Sequence, residues 1–349
     1  MRINSGPMQC SGLHGHGFMV SEMNKNTNRL FRDLIKGPIK YTKAMVWTAR
    51  SLHSDNFKFV ITYPPGHFYS PLPDWARREK TSSDASDAKN QKKSVLHGIE
   101  LNDDKQIQLV STFELFYKDM PIPVTRDKKF RFYLDNDYFS FGDSVILYSI
   151  LRQFRPKQII EVGSGFSSAL MLDICDRFAM NDTKLTFIDP FPDRLNRLLG
   201  PQDKDRCTVI AKNIQDVDCL AFDKMESGDI VFIDSSHVAK YNSDVLHIIF
   251  EILPVLKEGV LIHFHDIPWP FEYPDRWFKA GRAWNEAYYL RAFLQGNVDF
   301  EILYFNSYME QLHADLFKAT MPLILRVPSF PLTLGNSSLW LRARGVRNR

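Results

Sequence analysis

The stretch that decides the fold is IIEVGSGFSS, at residues 159–168. It begins as an apolar strand and continues into Gly163 and Gly165, which let the backbone turn sharply and approach a ligand closely. Ser167 then begins a predicted helix, whose first backbone N–H groups are free to bind a ligand. A strand, a glycine turn and a helix in this order predict a binding site at the end of the strand.

Strands and helices alternate around this stretch. The predicted helices span residues 144–154, 167–178, 244–256 and 283–295. The predicted strands span residues 158–162, 184–188, 206–210, 229–234, 260–264, 300–305 and 323–327. Alternation of this kind indicates βαβ units and therefore the α/β class, in which ligands bind at the carboxyl ends of the parallel strands.

The domain organisation follows from the length and from local composition. A chain of 349 residues corresponds to roughly two domains at about 150 residues each. We expect an N-terminal extension over residues 1–125, ending in a helix at 107–117 and contributing to the substrate side. Within it, residues 75–93 have little to bury and are predicted to form a mobile insertion. The cofactor domain is predicted over 126–328, followed by a basic tail over 329–349.

The composition excludes several classes of protein. A hydrophobic content of 44% with 24% charged residues rules out collagen-like, low-complexity and wholly disordered chains. The net charge of +3 divides into +6 over the first 60 residues, +4 over the last nine and −7 between them, and this acidic middle disfavours nucleic acid as a partner. The four cysteines show no CxxC spacing, and no apolar run suits a signal peptide or a membrane span, so a soluble, cytoplasmic protein is predicted.

Two cofactors suit the glycine turn. A dinucleotide fingerprint needs a third small residue at position 168, and Ser168 is close enough that NAD(P) stays open as an alternative. Glu161 before the glycines and Asp189 at the end of the second strand favour a different cofactor. Together with the DIVFID strand at 229–234 and the Lys-Glu-Gly turn at 257–259, they make the chain resemble class I S-adenosylmethionine (SAM)-dependent methyltransferases over residues 140–328.

This resemblance implies a fold and a set of cofactor residues. The fold is a Rossmann-like seven-stranded methyltransferase sheet with helices on both faces, in which the last two strands form a reversed hairpin. The glycine loop would approach the amino-acid part of SAM, Asp189 would bind the ribose hydroxyls, and the residues after the third strand would lie near the adenine. The implied cofactor-binding residues are Glu161, Gly163, Ser164, Gly165, Ser167, Asp189, Asn213 and Gln215.

Acidic residues and histidines end the fourth and fifth strands. Because neighbouring parallel strands lie about 4.8 Å apart, Asp234 and Asp266 are expected to converge on one volume at the edge of the sheet. Two carboxylates suit Mg²⁺ or another divalent cation, with His265 as a third predicted ligand. His237 follows Asp234 by three residues and is the predicted general base. His263 is expected to point to the opposite face from His265, which disfavours a zinc site.

Within the superfamily, this arrangement resembles the metal-dependent sugar O-methyltransferases of natural-product pathways. In those enzymes an Asp before a Ser-His pair and an Asp after the fifth strand bind the metal, and the His is the base; Asp234, His237 and Asp266 match that pattern. The chain departs from it at His265, where those enzymes carry an acid. The resemblance implies O-methylation of a hydroxyl on a small-molecule or glycoside acceptor in secondary metabolism.

Several further residues are predicted to contact the acceptor. Proline-rich aromatic segments at 67–71 and 268–277 are stiff enough to form walls around a substrate. The residues chosen from these segments and from the start of the next helix are His67, Tyr69, Trp269, Tyr273 and Asn285. Asn285 or Glu286 would supply a third metal oxygen. The alternatives to a small-molecule methyltransferase are an NAD(P)-dependent oxidoreductase and an RNA methyltransferase.

Overall fold

The structure is a computed structural model that describes residues 63–73, 95–203 and 205–345. The chain divides into two compact units, Met1–Arg78 and Glu79–Arg349. In the first unit, the described residues form a series of turns in which the Tyr63, His67 and Tyr69 rings contact one another. The predicted insertion at 75–93 lies outside the described residues.

The second unit is built on one seven-stranded sheet. Its strands are ordered β3-β2-β1-β4-β5-β7-β6, and β7 runs antiparallel to both of its neighbours while the other pairs are parallel. The strand bounds are β1 Gln158–Val162, β2 Lys184–Ile188, β3 Cys207–Ile210, β4 Ile230–Ile233, β5 Leu261–Phe264, β6 Phe300–Phe305 and β7 Leu339–Ala343. The predicted seven-stranded α/β methyltransferase sheet, with its reversed final pair, is confirmed.

Among the described residues, two helices precede β1 and the others lie between successive strands. Their bounds are α1 Asp103–Tyr117, α2 Phe141–Phe154, α3 Phe166–Arg177, α4 Asp193–Asn196, α5 Leu220–Asp223, α6 Asp244–His247, α7 Asp275–Lys279, α8 Glu286–Leu294, α9 Asn306–Leu312 and α10 Ala314–Thr320. The predicted helix at 244–256 consists of α6, a π-helical turn at Ile248–Ile252 and a 3₁₀ turn at Leu253–Val255. Pro254 explains this ending, because proline lacks the N–H that a continuing α-helix needs.

The central strands are buried from end to end. Every residue of β4 and of β5 is buried, and so are the last four residues of β1. Strands of a parallel sheet that is covered on both faces carry continuous apolar runs of this kind. These runs explain why the sequence pattern located them within one residue of their observed bounds. In the part of the chain that is described, no helix combines the length and the apolar character that crossing a membrane requires.

The predicted position of the last strand was wrong. Residues 323–327 were expected to be a strand, but Pro322–Leu325 form a 3₁₀ helix. The seventh strand is Leu339–Ala343, which lies between β5 and β6 and belongs to the core rather than to a basic tail. Its arginines misled the prediction: Arg342 and the following Arg344 both pair with Glu301 of β6.

The predicted boundary at residue 125 also differs from the structure. Helix α1 packs against α2 and β6, and its Val110 and Phe113 are fully buried in the same core as the sheet. The boundary between the two compact units lies at Arg78 and Glu79 instead. This amphipathic helix precedes the first strand but is part of the domain, because its apolar face is buried against α2 and the sheet.

Candidate active site

A cavity of about 310 Å³ opens at the carboxyl edge of the sheet, where β1, β2, β4 and β5 end. Its lining residues are Asp137, Tyr138, Asp143, Gly163, Ser164, Asp189, Arg194, Asp234, Ser235, Ser236, His237, His265, Asp266, Arg282, Trp284, Leu332, Thr333, Leu334 and Gly335. Residues from four separate strand ends therefore meet in one space, as the position of ligand sites in parallel sheets predicts.

The buried side chain of Glu161 links the end of β1 to the start of α3. Glu161 is completely buried, and its two carboxyl oxygens accept hydrogen bonds from the hydroxyls of Ser167 and Ser168. Ser168 in turn accepts the backbone N–H of Gly165 at 3.0 Å. Burial raises the pKa of Glu161 to about 8 although the two serines oppose the shift. Glu161 and Ser167 thus lie behind the loop and outside the cavity lining.

Asp189 connects the end of β2 to the same loop. One of its oxygens accepts both the backbone N–H and the hydroxyl of Ser164, at 2.9 and 3.0 Å. The other oxygen accepts the backbone N–H of Phe191 at 2.8 Å. Each carboxylate oxygen has two lone pairs, and Asp189 lines the cavity, so the Oδ1 side keeps capacity for a ligand hydroxyl.

The glycine at position 163 is required by the end of β4. Its φ is +84°, and a Cβ at this position would lie 1.8 Å from the backbone oxygen of Asp234. The loop after β1 and the residue that follows β4 are therefore in direct backbone contact. Any larger residue at position 163 would separate them.

Two predicted adenine residues lie apart from the cavity lining. Asn213 donates to Asp216 at 3.1 Å, and Gln215 donates to the backbone oxygen of Asn242 at 2.8 Å. The cavity wall on the loop side is formed instead by Arg194 and Tyr138, with the guanidinium carbon 3.9 Å from the centre of the Tyr138 ring. No local motif marks this pair, because it joins residues more than fifty positions apart in the sequence.

His237 is held between two carboxylates. Its Nδ1 lies 2.8 Å from Glu286 Oε2 and its Nε2 lies 3.4 Å from Asp234 Oδ1. The backbone N–H groups of Asn285 and Glu286 both donate to the carbonyl of His237, at 3.1 and 3.2 Å. His237 and Asp266 both have left-handed backbone, with φ of 60° and 55°. Strained residues of this kind cluster at functional sites.

The charges around His237 favour its protonated form. Burial opposes a charge on the ring, but the hydrogen bonds to Asp234 and Glu286 outweigh it and raise the pKa of His237 well above its ordinary value. For Asp234, desolvation of the carboxyl is outweighed by His265 and His237, which lower the pKa to about 2. Glu286, predicted as a source of metal oxygen, is the residue that orients His237.

The second predicted acid, Asp266, lines the same cavity as Asp234. It accepts a hydrogen bond from the Ser337 hydroxyl at 2.9 Å, and its other neighbour is His265 Nε2 at 3.6 Å. The Nδ1 of His265 is buried and has no hydrogen-bond partner among the described residues. The structure therefore brings together all four residues predicted to perform the chemistry, which are Asp234, His237, His265 and Asp266.

The expectation that His263 and His265 point to opposite faces was wrong. Their rings lie 5.9 Å apart at an angle of 20°, because residues two apart in a strand share a face. His263 is fully buried and stacks on Phe232, and its Nε2 lies 2.8 Å from the Ser338 hydroxyl. Within residues 63–73, 95–203 and 205–345, no three His, Cys, Asp or Glu side chains are grouped closely enough to hold a metal by themselves.

Asp143 is a site residue that sequence reasoning missed. It lies in the first turn of α2, and its Oδ1 accepts hydrogen bonds from the Asn306 amide, the backbone N–H groups of Ser337 and Ser338 and the Ser338 hydroxyl, at 2.7 to 3.0 Å. Burial raises its pKa, although His265 opposes the shift. Asp143 thus binds the segment before β7 to the cavity wall. The residues in contact are nearly 200 positions apart in the sequence.

The predicted acceptor residues do not line the cavity. Trp269 is buried against Phe305 and Tyr308, while the hydroxyl of buried Tyr273 accepts the backbone N–H of Ala287 at 3.0 Å. The side-chain amide of Asn285 forms two hydrogen bonds with Ala239: its oxygen accepts the backbone N–H and its nitrogen donates to the backbone carbonyl. The other two, His67 and Tyr69, belong to the first compact unit. Trp284 lines the cavity instead of these predicted residues, and its ring centre lies 4.3 Å from that of His237.

Comparison with known proteins agrees with this geometry. Residues 160–267 match the family model of a methyltransferase domain. An uncharacterised protein of Archaeoglobus fulgidus is 31% identical over 177 residues, which cover 48% of this chain and 76% of that protein.

Two solved structures are also similar to this chain. One is the O-methyltransferase TomG from Streptomyces achromogenes, involved in tomaymycin synthesis and solved with SAM, at 14% identity and a TM-score of 0.37 over 70% of this chain and 91% of that one. The other is a form of CmcI with Mg and SAM, at 18% identity and a TM-score of 0.32 over 46% and 63%.

The donor set of the cavity suits the expected cofactor. Five aspartates and two arginines line it, so it is an acidic space that complements a positively charged sulfonium. The match of residues 160–267 to a methyltransferase domain does not favour the NAD(P)-dependent alternative. The chain belongs to the family of its archaeal relative, and its residues 160–267 match a methyltransferase domain.

Proposed function

We propose that the protein methylates a hydroxyl oxygen of a small-molecule or glycoside acceptor, with His237 as the general base. The observation that carries this proposal is the placement of His237, which lines the cavity while its Nδ1 is bound by a buried carboxylate. O-methylation requires a proton acceptor within reach of the acceptor hydroxyl, and a positioned histidine is the commonest group for that task.

The contacts of His237 assign a role to each ring nitrogen. A hydrogen bond from Nδ1–H to Glu286 leaves Nε2 as the acceptor in the neutral ring. Because Glu286 is buried and its backbone N–H also donates to the carbonyl of His237, these contacts support a ring held in one position, and the proposal assigns the proton to Nδ1. The neutral ring then takes the hydroxyl proton at Nε2, and Glu286 stabilises the imidazolium that forms.

Bound SAM would supply the methyl group on a sulfonium, whose positive charge in the same cavity would oppose the protonation of His237 that Asp234 and Glu286 favour. The chain's own residues hold the donor and acceptor sides together. Ser164 lies in the loop after β1, and Asp189 follows β2 and binds Ser164. Asp234 and His237 follow β4, and all four line one cavity. The proposed sites of donor and acceptor therefore adjoin at the edge of the sheet.

A divalent cation is part of the proposal, with Asp234 and Asp266 as its protein ligands. Mg²⁺ is usually bound by only one or two carboxylates, the remaining positions being filled by water and substrate, and the two aspartates of this cavity suit that mode. His265 lines the same cavity beside Asp266 but is not part of the proposed ligand set, since no three such side chains among the described residues are grouped closely enough to hold a metal. When bound, the cation would lower the pKa of the acceptor hydroxyl.

The test of the base compares His237→Gln with Glu286→Gln. We expect His237→Gln to lower kcat by about 10²-fold or more, since that is the usual contribution of a positioned base. Glu286→Gln keeps the shape but weakens the orientation of the ring, so its kcat should fall by a smaller factor. Both rates would be measured as S-adenosylhomocysteine (SAH) formation with an acceptor found by mass-spectrometric screening.

Thermal shift by SAH provides the control for these variants. Both variants should retain the wild-type shift, because neither residue belongs to the loop after β1. If His237→Gln turns over at the wild-type rate while binding SAH normally, His237 is not the base.

Removal of metal tests the cation. Treatment with EDTA followed by desalting should abolish turnover, and added Mg²⁺ or Mn²⁺ should restore it. Asp234→Asn and Asp266→Asn should raise the cation concentration needed for half-maximal rate. Full activity after chelation, with no metal found by elemental analysis, would remove the cation from the mechanism.

A further inference from the structure

Arg282 stands on the cavity wall without an acidic partner. It lines the same cavity as His237, and none of the described Asp or Glu oxygens forms an ion pair with it within 4.0 Å. This is notable in a cavity that contains five aspartates. A guanidinium that faces a cavity and leaves its five N–H donors unpaired is available to bind an anion.

Two tryptophans fix the position of Arg282. Its guanidinium carbon lies 5.1 Å from the centre of the Trp277 ring and 4.8 Å from that of the Trp284 ring. Its backbone N–H donates to the carbonyl of Trp277 at 2.9 Å, and Trp277 is itself buried and bound through Nε1 to Leu332. Cation–π contacts of this kind hold the side chain in place while leaving the edge of the guanidinium for a ligand.

Trp284 links this arginine to the proposed base. Its ring centre is 4.3 Å from that of His237, so the same indole touches both His237 and the guanidinium of Arg282. A ligand whose hydroxyl reaches His237 can therefore lay its body along Trp284 and place a second group at Arg282. Because both groups contact the same indole, their separation is at most the two distances combined, which leaves room for a single aromatic or sugar ring.

We propose that the acceptor is an anion, with a carboxylate or phosphate group bound by Arg282. This inference rests on the proposed function, because it takes the acceptor hydroxyl to lie at His237. The substrate class is a hydroxylated ring compound that carries its acidic group on the side of the ring away from the reacting hydroxyl. Arg282 would then determine specificity, and the neutral form of the same compound would be a poor acceptor.

The test uses matched pairs of acidic and neutral probes. Carboxylate probes are hydroxybenzoates and dihydroxybenzoates, each with its primary amide, and phosphate probes are hexose phosphates, each with its parent hexose. The full-length enzyme would be assayed for SAH formation and for thermal stabilisation by each probe in the presence of SAH. The better of the two acidic series identifies the anionic group.

Arg282→Gln is expected to lower kcat/KM for acidic probes by about 10- to 100-fold, the range for loss of a charged hydrogen bond. Its effect on the neutral partners should stay within about 2-fold. Arg282→Lys should be intermediate, because it keeps the charge and loses the planar fork. The matched control is Arg291→Gln, which removes an exposed charge from α8 outside the cavity lining and should leave the preference for acids unchanged.

The outcomes separate this inference from the proposed function. Methylation of neutral probes that is insensitive to Arg282→Gln would overturn the inference and leave the proposed function standing. Stabilisation by acidic probes that is lost in Arg282→Gln, without any SAH formation, would support the inference and contradict the proposed function. If no acidic probe stabilises the enzyme or is methylated, or if Arg291→Gln matches Arg282→Gln, Arg282 is not an anion site.

Discussion

Glu161 shows how a single residue supports the site without touching a ligand. It is completely buried behind the loop after β1, and both of its oxygens are bound by serine hydroxyls at the start of α3. An isolated charge buried in such a place is costly. Burial therefore raises the pKa of the carboxyl to about 8, and below that pH its neutral form predominates. In its neutral form, Glu161 thus links the end of β1 to the start of α3 through these hydrogen bonds.

This environment makes stability depend on pH. Between the ordinary pKa of 4.5 and the folded value of about 8, the native state keeps a proton that the unfolded chain has lost. The free energy of unfolding should therefore fall as pH rises through this window, by at most about 1.4 kcal/mol per pH unit, and level off above it. Glu161→Gln should remove that part of the slope, because glutamine carries no proton to lose.

The measurement is urea unfolding of wild type and Glu161→Gln at intervals from pH 5 to 9. The difference between the two proteins isolates the contribution of Glu161 from those of all other groups. We expect the free energy of unfolding of Glu161→Gln, relative to that of the wild type, to increase steadily as pH rises. A difference that is constant with pH would mean that Glu161 is ionised in the folded protein.

At the scale of elements, strand β7 is essential to the sheet although it lies close to the end of the described chain. It pairs with β5 on one side and β6 on the other, and Leu339, Trp340 and Leu341 are fully buried. Burying one large apolar side chain contributes roughly 1.5–3 kcal/mol, so these three represent much of the roughly 5–15 kcal/mol that separates folded from unfolded domains.

Truncation distinguishes a core strand from a tail. A chain that ends at Ser338 should lose cooperative thermal unfolding and accumulate in the insoluble fraction, because β5 and β6 would be left with unpaired edges. A chain that ends at Gly345 keeps all of β7 and should melt within a few degrees of the full-length protein. Circular dichroism and gel filtration would compare the two, and a soluble, cooperatively folded Ser338 chain would contradict the assignment of β7 to the core.

Across the whole molecule, the elements that could be predicted are those whose signal is local. The central strands were located because each is a continuous apolar run, and Asp234, His237 and Asp266 were found because they directly follow such runs. Strand β7 was missed because its arginines are neutralised by Glu301, some forty residues earlier in the chain. A local sequence pattern does not indicate an ion pair between residues so far apart in the chain.

The wall of the site was missed for the same physical reason. Asp143, Arg282 and Trp284 reach the cavity from α2 and from the segment before α8, and none of them belongs to a strand end. The aromatic residues that were expected there fill the core instead, as Trp269 and Tyr273 do. An aromatic loop has the same composition whether it packs against the sheet or against a substrate, and only the tertiary structure decides between the two.

The backbone contact between Gly163 and Asp234 has a consequence for how the enzyme can vary. Because a Cβ at position 163 would collide with the Asp234 carbonyl at 1.8 Å, the proposed donor and acceptor sides of the site share one fixed point. A displacement of the glycine loop that tunes affinity for the methyl donor would shift Asp234, and through it His237, by a similar amount. New acceptors are therefore more accessible to evolution through the outer wall at Arg282 and Trp284, where a change leaves the alignment of the two reactants intact.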